Sequence, residues 1–284
     1  MNAQQSNDNE QAALWNGRAG RAWIDGQATL DRMFASFEDL LADTVRATSA
    51  RRVLDVGCGT GGTTLAAARA AGAQGECLGV DISQPMIAVA RERAAHEGST
   101  ARFVAADVQT HAFEPARFDL VISRFGVMFF DDPVAAFANL RRAANAGARL
   151  QAVAWRSAAE NPYMTTAERA AARLLPNMPA RQPGAPGQFA FADRHRVASI
   201  LQASGWTEID IQPIDVDCTF PEKDLVGYFT RLGAVGQVLE DADEATRRQV
   251  IGTLRTAFEP FVQGDEVHFT AACWLIGAKA PAHA

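Results

Sequence analysis

One stretch decides the fold of this chain: Arg51-Arg52-Val53-Leu54-Asp55-Val56-Gly57-Cys58-Gly59-Thr60-Gly61-Gly62-Thr63-Thr64-Leu65. Its first half is a short apolar run, typical of a strand covered on both faces, and its second half is a turn rich in glycine. Residues without a Cβ can adopt positive φ and let a ligand lie directly on the backbone. The helix expected to begin near Gly62 would point its free N–H groups at the same spot. The stretch therefore predicts a ligand-binding strand, turn and helix.

Strands and helices alternate after this unit. Further strands are predicted at 76–81, 102–106, 118–123 and 148–155, with helices between them. Two of these helices have N-cap residues followed closely by proline, which are Ser83 with Pro85 and Asp132 with Pro133. Alternation at this spacing predicts right-handed βαβ units and a doubly wound α/β fold with a mostly parallel sheet.

Two segments interrupt the alternation. We expect insertions near 157–191, where proline and glycine crowd a loop, and near 219–264, which contains two helical stretches. Between them a helix is predicted from Asp193 and a long strand follows it, and the last strand is predicted from Glu266 to Gly277. Residues 1–48 are expected to form a polar tail and a helical cap, because apolar residues recur every three or four positions from Leu30 to Val45. Residues 49–278 are then expected to form a single domain.

Composition restricts the class of partner. The chain has 284 residues, 48% of them hydrophobic, which is enough for a sizeable core. A net charge of -6 argues against nucleic acid or an anionic membrane as the main partner. The four cysteines form no Cys-x-x-Cys pair, so we expect neither a metal site nor a disulfide framework. The first 13 residues are polar and no stretch approaches the ~20 apolar residues of a membrane span, so a cytoplasmic protein is expected. We expect it to be a monomer or a homodimer.

The identity of the ligand depends on acids that follow the glycines. Gly57-x-Gly59-x-x-Gly62 satisfies the dinucleotide fingerprint, and Asp81 lies 24 residues beyond Gly57, near the distance of a ribose-binding acid. However, Asp55 lies inside the first strand and Asp107 ends the third. A pyrophosphate would gain little from a buried carboxylate beneath its loop, whereas a ligand with an ammonium or sulfonium centre would be stabilised.

Four segments resemble the successive motifs of class I S-adenosylmethionine-dependent methyltransferases: 53–61, 80–83, 106–108 and 118–123. The most similar subgroup is that of the small-molecule enzymes related to the ubiquinone/menaquinone C-methyltransferases, and the resemblance covers about 51–155. It implies a Rossmann-like methyltransferase fold of seven strands, the last antiparallel, in which the two insertions form a lid. It also implies S-adenosylmethionine as cofactor, S-adenosylhomocysteine as product and a small-molecule methyl acceptor.

The resemblance also implies roles for individual residues at the methionine end of the cofactor. Gly57 and Gly59, with Gly61 in the same loop, would lie against its amino-acid part. Asp55 would organise the loop backbone and touch the ligand. The end of the fourth strand would line the methionine end through Ser123 and Arg124.

The nucleoside end of the cofactor is assigned in the same way. Asp81 would accept hydrogen bonds from both ribose hydroxyls, since a carboxylate has two oxygens. Ile82 and Met86 would pack on the adenine, although helix packing alone also accounts for Met86. Asp107 would accept from the exocyclic amine, with help from the backbone of Val108.

The acceptor site is less defined. Trp15 and Trp23 either anchor the cap by packing or form a flap over the ligand, and the run containing Phe125 and Met128 either walls an apolar acceptor pocket or belongs to the core. Methyl transfer from a sulfonium requires mainly alignment, so a base can be dispensable. If one is needed, the weak candidates are two histidines and two tyrosines: His195, His268, Tyr163 and Tyr228.

The sequence therefore favours an S-adenosylmethionine-dependent methyltransferase acting on a small, partly apolar metabolite by in-line transfer. Two alternatives stay open. One is an NAD(P)-dependent oxidoreductase on a related sheet, and the other is a non-catalytic cofactor-binding protein of the same fold.

Overall fold

The computed structural model describes residues 4–182 and 184–282, so residues 1–3 of the predicted tail lie outside the described residues. The strands in chain order are β1 Arg52–Val56, β2 Glu76–Asp81, β3 Arg102–Ala105, β4 Phe118–Arg124, β5 Ala144–Trp155, β6 Thr207–Pro221, β7 Val262–Gln263 and β8 Glu266–Lys279. The helices are α1 Gln4–Asn16, α2 Arg18–Asp25, α3 Gln27–Met33, α4 Ala35–Thr48, α5 Gly62–Ala71, α6 Gln84–Glu97, α7 Pro133–Ala143, α8 Pro162–Ala171, α9 Arg194–Ala203, α10 Leu225–Arg231, α11 Gly233–Leu239 and α12 Glu244–Phe258.

The strands form one mixed sheet in the order β3-β2-β1-β4-β5-β8-β6. The pairs from β3 to β5 are all parallel, and β8 lies antiparallel between β5 and β6. The predicted sheet of seven strands with an antiparallel last strand is therefore confirmed. A two-residue strand, β7, adds to it by pairing with the start of β8.

The register of the parallel strands brings the predicted motifs to one edge. Val56 lies opposite Val80, and Asp81 lies opposite Ala105. On the other side of β1, Asp55 lies opposite Ile122 of β4. The loops that leave β1, β2, β3 and β4 consequently meet at the carboxyl edge of the sheet, where open α/β sheets bind ligands.

Strand β1 lies inside the sheet, between β2 and β4, and its apolar side chains belong to the core. Val53, Leu54 and Val56 are completely buried, as the short apolar run predicted. Burial of each such side chain contributes roughly 1.5–3 kcal/mol, which holds the strand rigidly beneath its glycine loop.

The N-terminal cap differs from the prediction in two ways. The predicted polar tail is helical from Gln4 to Asn16, and the single helix expected from Leu30 to Val45 is divided into α3 and α4. The division falls at Phe34, whose φ of -110° leaves the helical region. The apolar face survives the break, because Leu30, Phe34 and Phe37 are all buried.

The boundaries of several elements also differ from the prediction. Helix α7 ends at Ala143 rather than Gly147, because the chain enters β5 early through an irregular register opposite β4. Gly147 itself has a φ of 75° within that irregular start. Helix α8 ends at Ala171 rather than Leu175. In the second insertion, α12 matches its prediction, but α11, a helix of seven residues that begins with glycine, was not predicted.

The insertion helices α8, α10, α11 and α12 pack on one another, and α11 also contacts α2 of the cap. An ion pair reinforces that last contact, since Arg18 Nη1 and Nη2 lie 2.6 and 3.0 Å from the two carboxylate oxygens of Asp241. The cap and the second insertion are thereby joined across the carboxyl edge of the sheet. Among the described residues, no helix combines the length and apolarity needed to cross a lipid bilayer.

Candidate functional site

The glycine loop after β1 is an open backbone turn. Gly57, Gly59 and Gly61 have φ values of 68°, 54° and 89°, which residues with a Cβ adopt only with strain. Gly57 is also pressed against Gly126 after β4, because a Cβ on Gly57 would lie 2.5 Å from the Gly126 Cα. Both the dihedral angles and the available space therefore require glycine here.

Asp81 fixes the shape of this loop from the neighbouring strand. Its Oδ2 accepts a hydrogen bond from the Gly59 N–H at 2.8 Å, and its Oδ1 accepts one from the Ser83 N–H at 2.8 Å. Each oxygen keeps a second lone pair for a ligand. Burial raises the pKa of Asp81, while these backbone donors oppose the shift. Asp81 thus couples the glycine loop to the loop that starts α6.

A buried carboxylate lies beneath the loop. Asp55 is almost fully buried, and its Oδ2 accepts a hydrogen bond of 2.6 Å from the Thr64 hydroxyl, whereas its Oδ1 has no hydrogen-bond partner among the described residues. Burial raises the pKa of Asp55 to about 7, against the opposing effects of Thr64 and Arg124. A cation placed against Oδ1 would stabilise the ionised form.

A second carboxylate reaches the loop from the cap. Glu38 of α4 lies against the start of α5, where its Oε1 would collide with a Cβ on Gly62. Arg124, at the end of β4, approaches the same oxygen with its Nη2 at 3.6 Å. The two side chains are only 16% and 12% exposed, and burial raises the pKa of Glu38. Glu38 Oε1 and Arg124 Nη1 lack hydrogen-bond partners among the described residues.

The loop after β3 forms the opposite end of the site. Asp107 Oδ1 accepts from the Gln109 N–H at 2.8 Å, and the Gln109 side-chain amide donates to both Asp107 oxygens. Asn139 donates to the Val108 carbonyl at 2.7 Å. Asp107 and Val108 line a cavity together with Ile82.

That cavity is large, about 740 Å³, and runs from the glycine loop to the insertion helices. Its first part is lined by Gly57, Gly59, Asp81, Met86 and Asp107. Its second part, which we call the apolar chamber, is lined mainly by aromatic side chains: Phe34, Phe125, Trp155, Tyr163, Tyr228 and Phe258. A smaller cavity of about 40 Å³ beside the glycine loop is bordered by Arg124, Thr63 and Asp31 among others.

One wall of the cavity is an aromatic stack. The Phe125 ring lies parallel to Trp155 with centroids 4.7 Å apart, and Phe34 meets both rings edge-on. Phe125 has a φ of 65°, which is strained for an aromatic residue. The strained turn holds the Phe125 ring in the cavity wall instead of letting β4 continue.

The two cap tryptophans both line the large cavity. Trp15 packs edge-on against Phe129 at 5.0 Å and against Trp23 at 6.1 Å. The Trp15 carbonyl accepts a hydrogen bond of 2.7 Å from the Ser83 hydroxyl, two residues after Asp81. The Trp15 and Trp23 side chains therefore both pack the cap and cover the cavity. Met128 also lines the cavity, although its side chain is buried.

The four candidates for a proton acceptor separate into two pairs. Tyr163 and Tyr228 line the apolar chamber, and burial raises the pKa of both phenols. In the described part of the chain, neither histidine borders the cavity: His195 is exposed at the start of α9, and the His268 Nε2 lies 3.3 Å from Glu266.

Three other predicted cofactor residues do not border the described cavities. Ser123 is completely buried and donates a 2.7 Å hydrogen bond to the Val56 carbonyl, which ties β4 to β1. Gly61 faces Ala90 and Phe103, where a Cβ would lie 3.0 Å from each. Asp55 lies below the loop rather than in the cavity wall. These residues support the loop from beneath.

Sequence reasoning missed Glu38 and Gln109. Glu38 is four residues after Phe34 and so lies on the apolar face of the cap helices. A carboxylate on an apolar face was the signal that could have identified it. Gln109 follows Asp107 by two residues. This spacing permits the observed turn but is not enough to predict it.

Comparison with known proteins adds to this geometry. Residues 53–147 match the family described as "Methyltransferase domain". The chain is 33% identical over 135 residues to the aklanonic acid methyltransferase DauC of Streptomyces sp. (strain C5), covering 46% of this chain and 61% of that protein. It is 36% identical over 99 residues to the ubiquinone/menaquinone biosynthesis C-methyltransferase UbiE of Burkholderia vietnamiensis, covering 35% and 41%. The chain thus spans less than two thirds of the curated relatives it matches.

Solved structures share the fold. The crystal structure of YcgJ from Bacillus subtilis superposes with a TM-score of 0.55 at 19% identity, covering 86% of this chain and 97% of that one. A putative methyltransferase from Bacillus halodurans C-125 gives a TM-score of 0.54 at 16% identity, with coverage of 85% and 98%. Together with the sequence matches, they confirm the resemblance to class I methyltransferases that the four motifs predicted.

Proposed function

We propose that this chain, whose residues 53–147 are a methyltransferase domain, uses S-adenosylmethionine to methylate a small, partly apolar metabolite. The glycine loop and strand ends would hold the cofactor, and the apolar chamber would hold the acceptor. The domain would extend over residues 49–278 with both insertions, in a cytoplasmic protein.

One observation carries this proposal. Three buried polar atoms around the glycine loop have no hydrogen-bond partners among the described residues: Arg124 Nη1, whose residue lines the cavity, and Asp55 Oδ1 and Glu38 Oε1, whose residues lie behind the cavity wall. Leaving such groups unsatisfied is costly, about 1–3 kcal/mol each and more for charged groups. Two carboxylates and one guanidinium complement the ammonium and carboxylate of an amino acid. The methionine part of the cofactor fits this requirement. A pyrophosphate does not, because its negative charge would be repelled by the two carboxylates.

The nucleoside would lie along the adjacent strand ends. Asp81 has a free lone pair on each oxygen for the two ribose hydroxyls while Gly59 and Ser83 hold it in place. Because Asn139 occupies the Val108 carbonyl, the Val108 N–H is the backbone group suited to the adenine ring. Gln109 orients Asp107 for the exocyclic amine.

When bound, S-adenosylmethionine would supply an activated methyl group, to which a nucleophile on the acceptor bonds while S-adenosylhomocysteine leaves. The chain's own contribution is to align the acceptor and exclude water, which can supply much of the acceleration of such a transfer. The Phe125 and Trp155 stack forms part of the cavity wall and would help to set the angle of approach. Tyr163 and Tyr228 would not act as bases near neutral pH, because burial raises the pKa of both.

Isothermal titration tests the cofactor directly. S-adenosylhomocysteine should bind and NAD should not, because NAD would place its pyrophosphate over Asp55 and Glu38. Binding of NAD without any response to S-adenosylhomocysteine would instead support the oxidoreductase alternative.

Catalysis needs a separate assay. Transfer of labelled methyl from S-adenosylmethionine should be screened across quinol, phenol, amine and carboxylic-acid acceptors. We expect incorporation into at least one apolar acceptor. Cofactor binding with no incorporation into any class would favour the non-catalytic alternative.

A further inference from the structure

The chain has 16 phenylalanines but only two tyrosines, and both tyrosines line the apolar chamber. Tyr163 belongs to α8 in the first insertion and Tyr228 to α10 in the second, 65 positions apart. Their ring centroids lie 5.7 Å apart. Two distant segments thus bring the only phenols of the protein to one place in the chamber wall.

The Tyr163 ring is held firmly while its hydroxyl is left unsatisfied. The ring stacks on Phe269 with centroids 3.9 Å apart and meets Phe258 and Phe261 edge-on, so only 2% of the residue is exposed. Its hydroxyl makes no hydrogen bond of normal length among the described residues, although the Tyr228 hydroxyl lies close enough to influence its pKa. A phenylalanine would fill the same ring site without burying an unpaired polar atom, so packing alone does not account for the oxygen.

Apart from the nearby Tyr163 hydroxyl, the Tyr228 hydroxyl has only a weak partner among the described residues. It donates to the Met164 sulfur at 3.6 Å, and a thioether is a poor acceptor. Met164 lines the cavity on a flexible side chain that can move aside. A ligand oxygen could therefore replace the sulfur and also reach Tyr163.

We propose that Tyr163 and Tyr228 form the oxygen-recognition site of the apolar chamber, and that its ligand is a planar aromatic molecule carrying a neutral carbonyl or phenolic oxygen. The inference rests on the proposed function in that this ligand is the methyl acceptor. Both phenols remain protonated donors near neutral pH, because burial raises the pKa of each. A neutral oxygen suits the site, since a carboxylate would be desolvated among aromatic rings at high cost.

Two matched compounds test this site, 9-fluorenone, a planar ketone, and fluorene, which has the same shape without the oxygen. Each is titrated into the protein with and without saturating S-adenosylhomocysteine. We expect fluorenone to bind about five- to tenfold more tightly than fluorene, the value of one or two neutral hydrogen bonds. Equal affinities, or no binding of either compound, would overturn the proposal.

Selective labelling makes the contact visible. Protein labelled with 13C at the tyrosine ζ carbon gives two signals, which the Tyr163→Phe and Tyr228→Phe variants assign. Fluorenone should shift these signals beyond the ring-current shift that fluorene causes, and each variant should reduce the preference for the ketone. An unchanged preference in both variants would contradict the proposal.

Stability separates recognition from a structural role. Tyr163→Phe removes an unsatisfied hydroxyl, so the unliganded variant should melt at the same temperature or about 2–4 °C higher. A lowered melting temperature would mean that the hydroxyl supports the fold. The proposed function fails separately, because S-adenosylhomocysteine binding is measured on the same samples and the two compounds can be titrated without it.

Discussion

The glycine loop with its strand ends, here called the cofactor edge (Gly57, Gly59, Asp81, Asp107 and Arg124), and the apolar chamber share one cavity but are built differently. Each residue of the cofactor edge lies in or directly after a strand of the parallel sheet, and backbone hydrogen bonds position most of it. The chamber is assembled from the cap, β4, β5 and both insertions, and its walls are held by aromatic packing. Backbone geometry is intolerant of small changes, whereas apolar packing accepts substitutions of similar volume.

Gly57→Ala should have the largest effect and should break the cofactor edge. The new Cβ would lie 2.5 Å from the Gly126 Cα at a φ of 68°, so we expect S-adenosylhomocysteine affinity to fall more than about 100-fold and unfolding free energy to fall by about 3 kcal/mol. Gly98→Ala is the control, because Gly98 has a φ of 63° but open space around it, and should cost only about 1 kcal/mol. Equal losses in the two variants would show that the contact with Gly126 is unimportant.

Asp81→Asn should weaken S-adenosylhomocysteine binding by about 100-fold, since an amide cannot accept from both ribose hydroxyls and both backbone N–H groups. Asp119→Asn provides the control at the opposite edge of the sheet, where Asp119 also accepts from two backbone N–H groups, those of Arg51 and Arg52. Both variants should lose similar stability by urea titration. Comparable loss of affinity in the two would contradict the ribose assignment.

Arg124→Met should reduce S-adenosylhomocysteine affinity by about 30-fold, the value of a charge-assisted hydrogen bond to the methionine carboxylate. Arg156→Met is matched to it: both arginines are 12–13% exposed, pair with a carboxylate and lie over an aromatic ring. Titration calorimetry should find the affinity of the Arg156 variant unchanged. A similar loss in both would point to general destabilisation.

Asp55 should make cofactor binding depend on pH. With its pKa raised to about 7, the unliganded protein holds the carboxyl protonated below that pH, and an ammonium group bound above the loop would be attracted to its ionised form. Affinity for S-adenosylhomocysteine should therefore be about tenfold weaker at pH 6 than at pH 8. Arg124 lowers this pKa, whereas Asp81 and Glu38 raise it.

Two measurements check the Asp55 assignment. The pH dependence of affinity should flatten in Asp55→Asn, and a profile that keeps its slope would assign the titration to another group. Stability of the unliganded protein should show the opposite trend. The contribution of Asp55 is complete below its unfolded pKa near 4 and is lost as pH rises to about 7, because the folded state holds the proton more tightly.

Phe258→Leu should have the smallest effect on cofactor affinity, and it tests whether the apolar chamber and the cofactor edge act separately. Phe258 is buried in the chamber against Phe229 and Tyr163, so unfolding free energy should fall by about 1–2 kcal/mol. S-adenosylhomocysteine affinity should stay within about twofold of the original. A tenfold loss would mean that the chamber and the cofactor edge do not act separately.

The same difference explains what the sequence could predict. The cofactor edge is encoded locally: the strand with its glycine turn and the acids that end β2 and follow β3 can each be read from a short stretch of sequence, and parallel strands must end at one edge. Glu38 was missed because its place at the loop depends on how the cap docks on α5, which short-range patterns do not contain. The break at Phe34 was missed because the apolar spacing continues across it.

The chamber was predictable only in outline. Proline- and glycine-rich stretches indicated insertions, but the meeting of Tyr163 with Tyr228 depends on the packing of α8, α10 and α12. Ser123 is the converse case: its position at a strand end predicts a ligand contact, and the structure adds a hydrogen bond from its hydroxyl to the Val56 carbonyl.

The contact between Gly57 and Gly126 has a consequence for recombination of this protein with its relatives. Each glycine leaves no room for a Cβ on the other, since the Cβ of one would lie 2.5 or 2.7 Å from the Cα of its partner. The two positions are 69 residues apart, so a crossover placed between them separates the pair. A chimaera should therefore be viable only when the parent that supplies position 57 and the parent that supplies position 126 each have glycine there, and this joint requirement can serve as a filter in choosing parents.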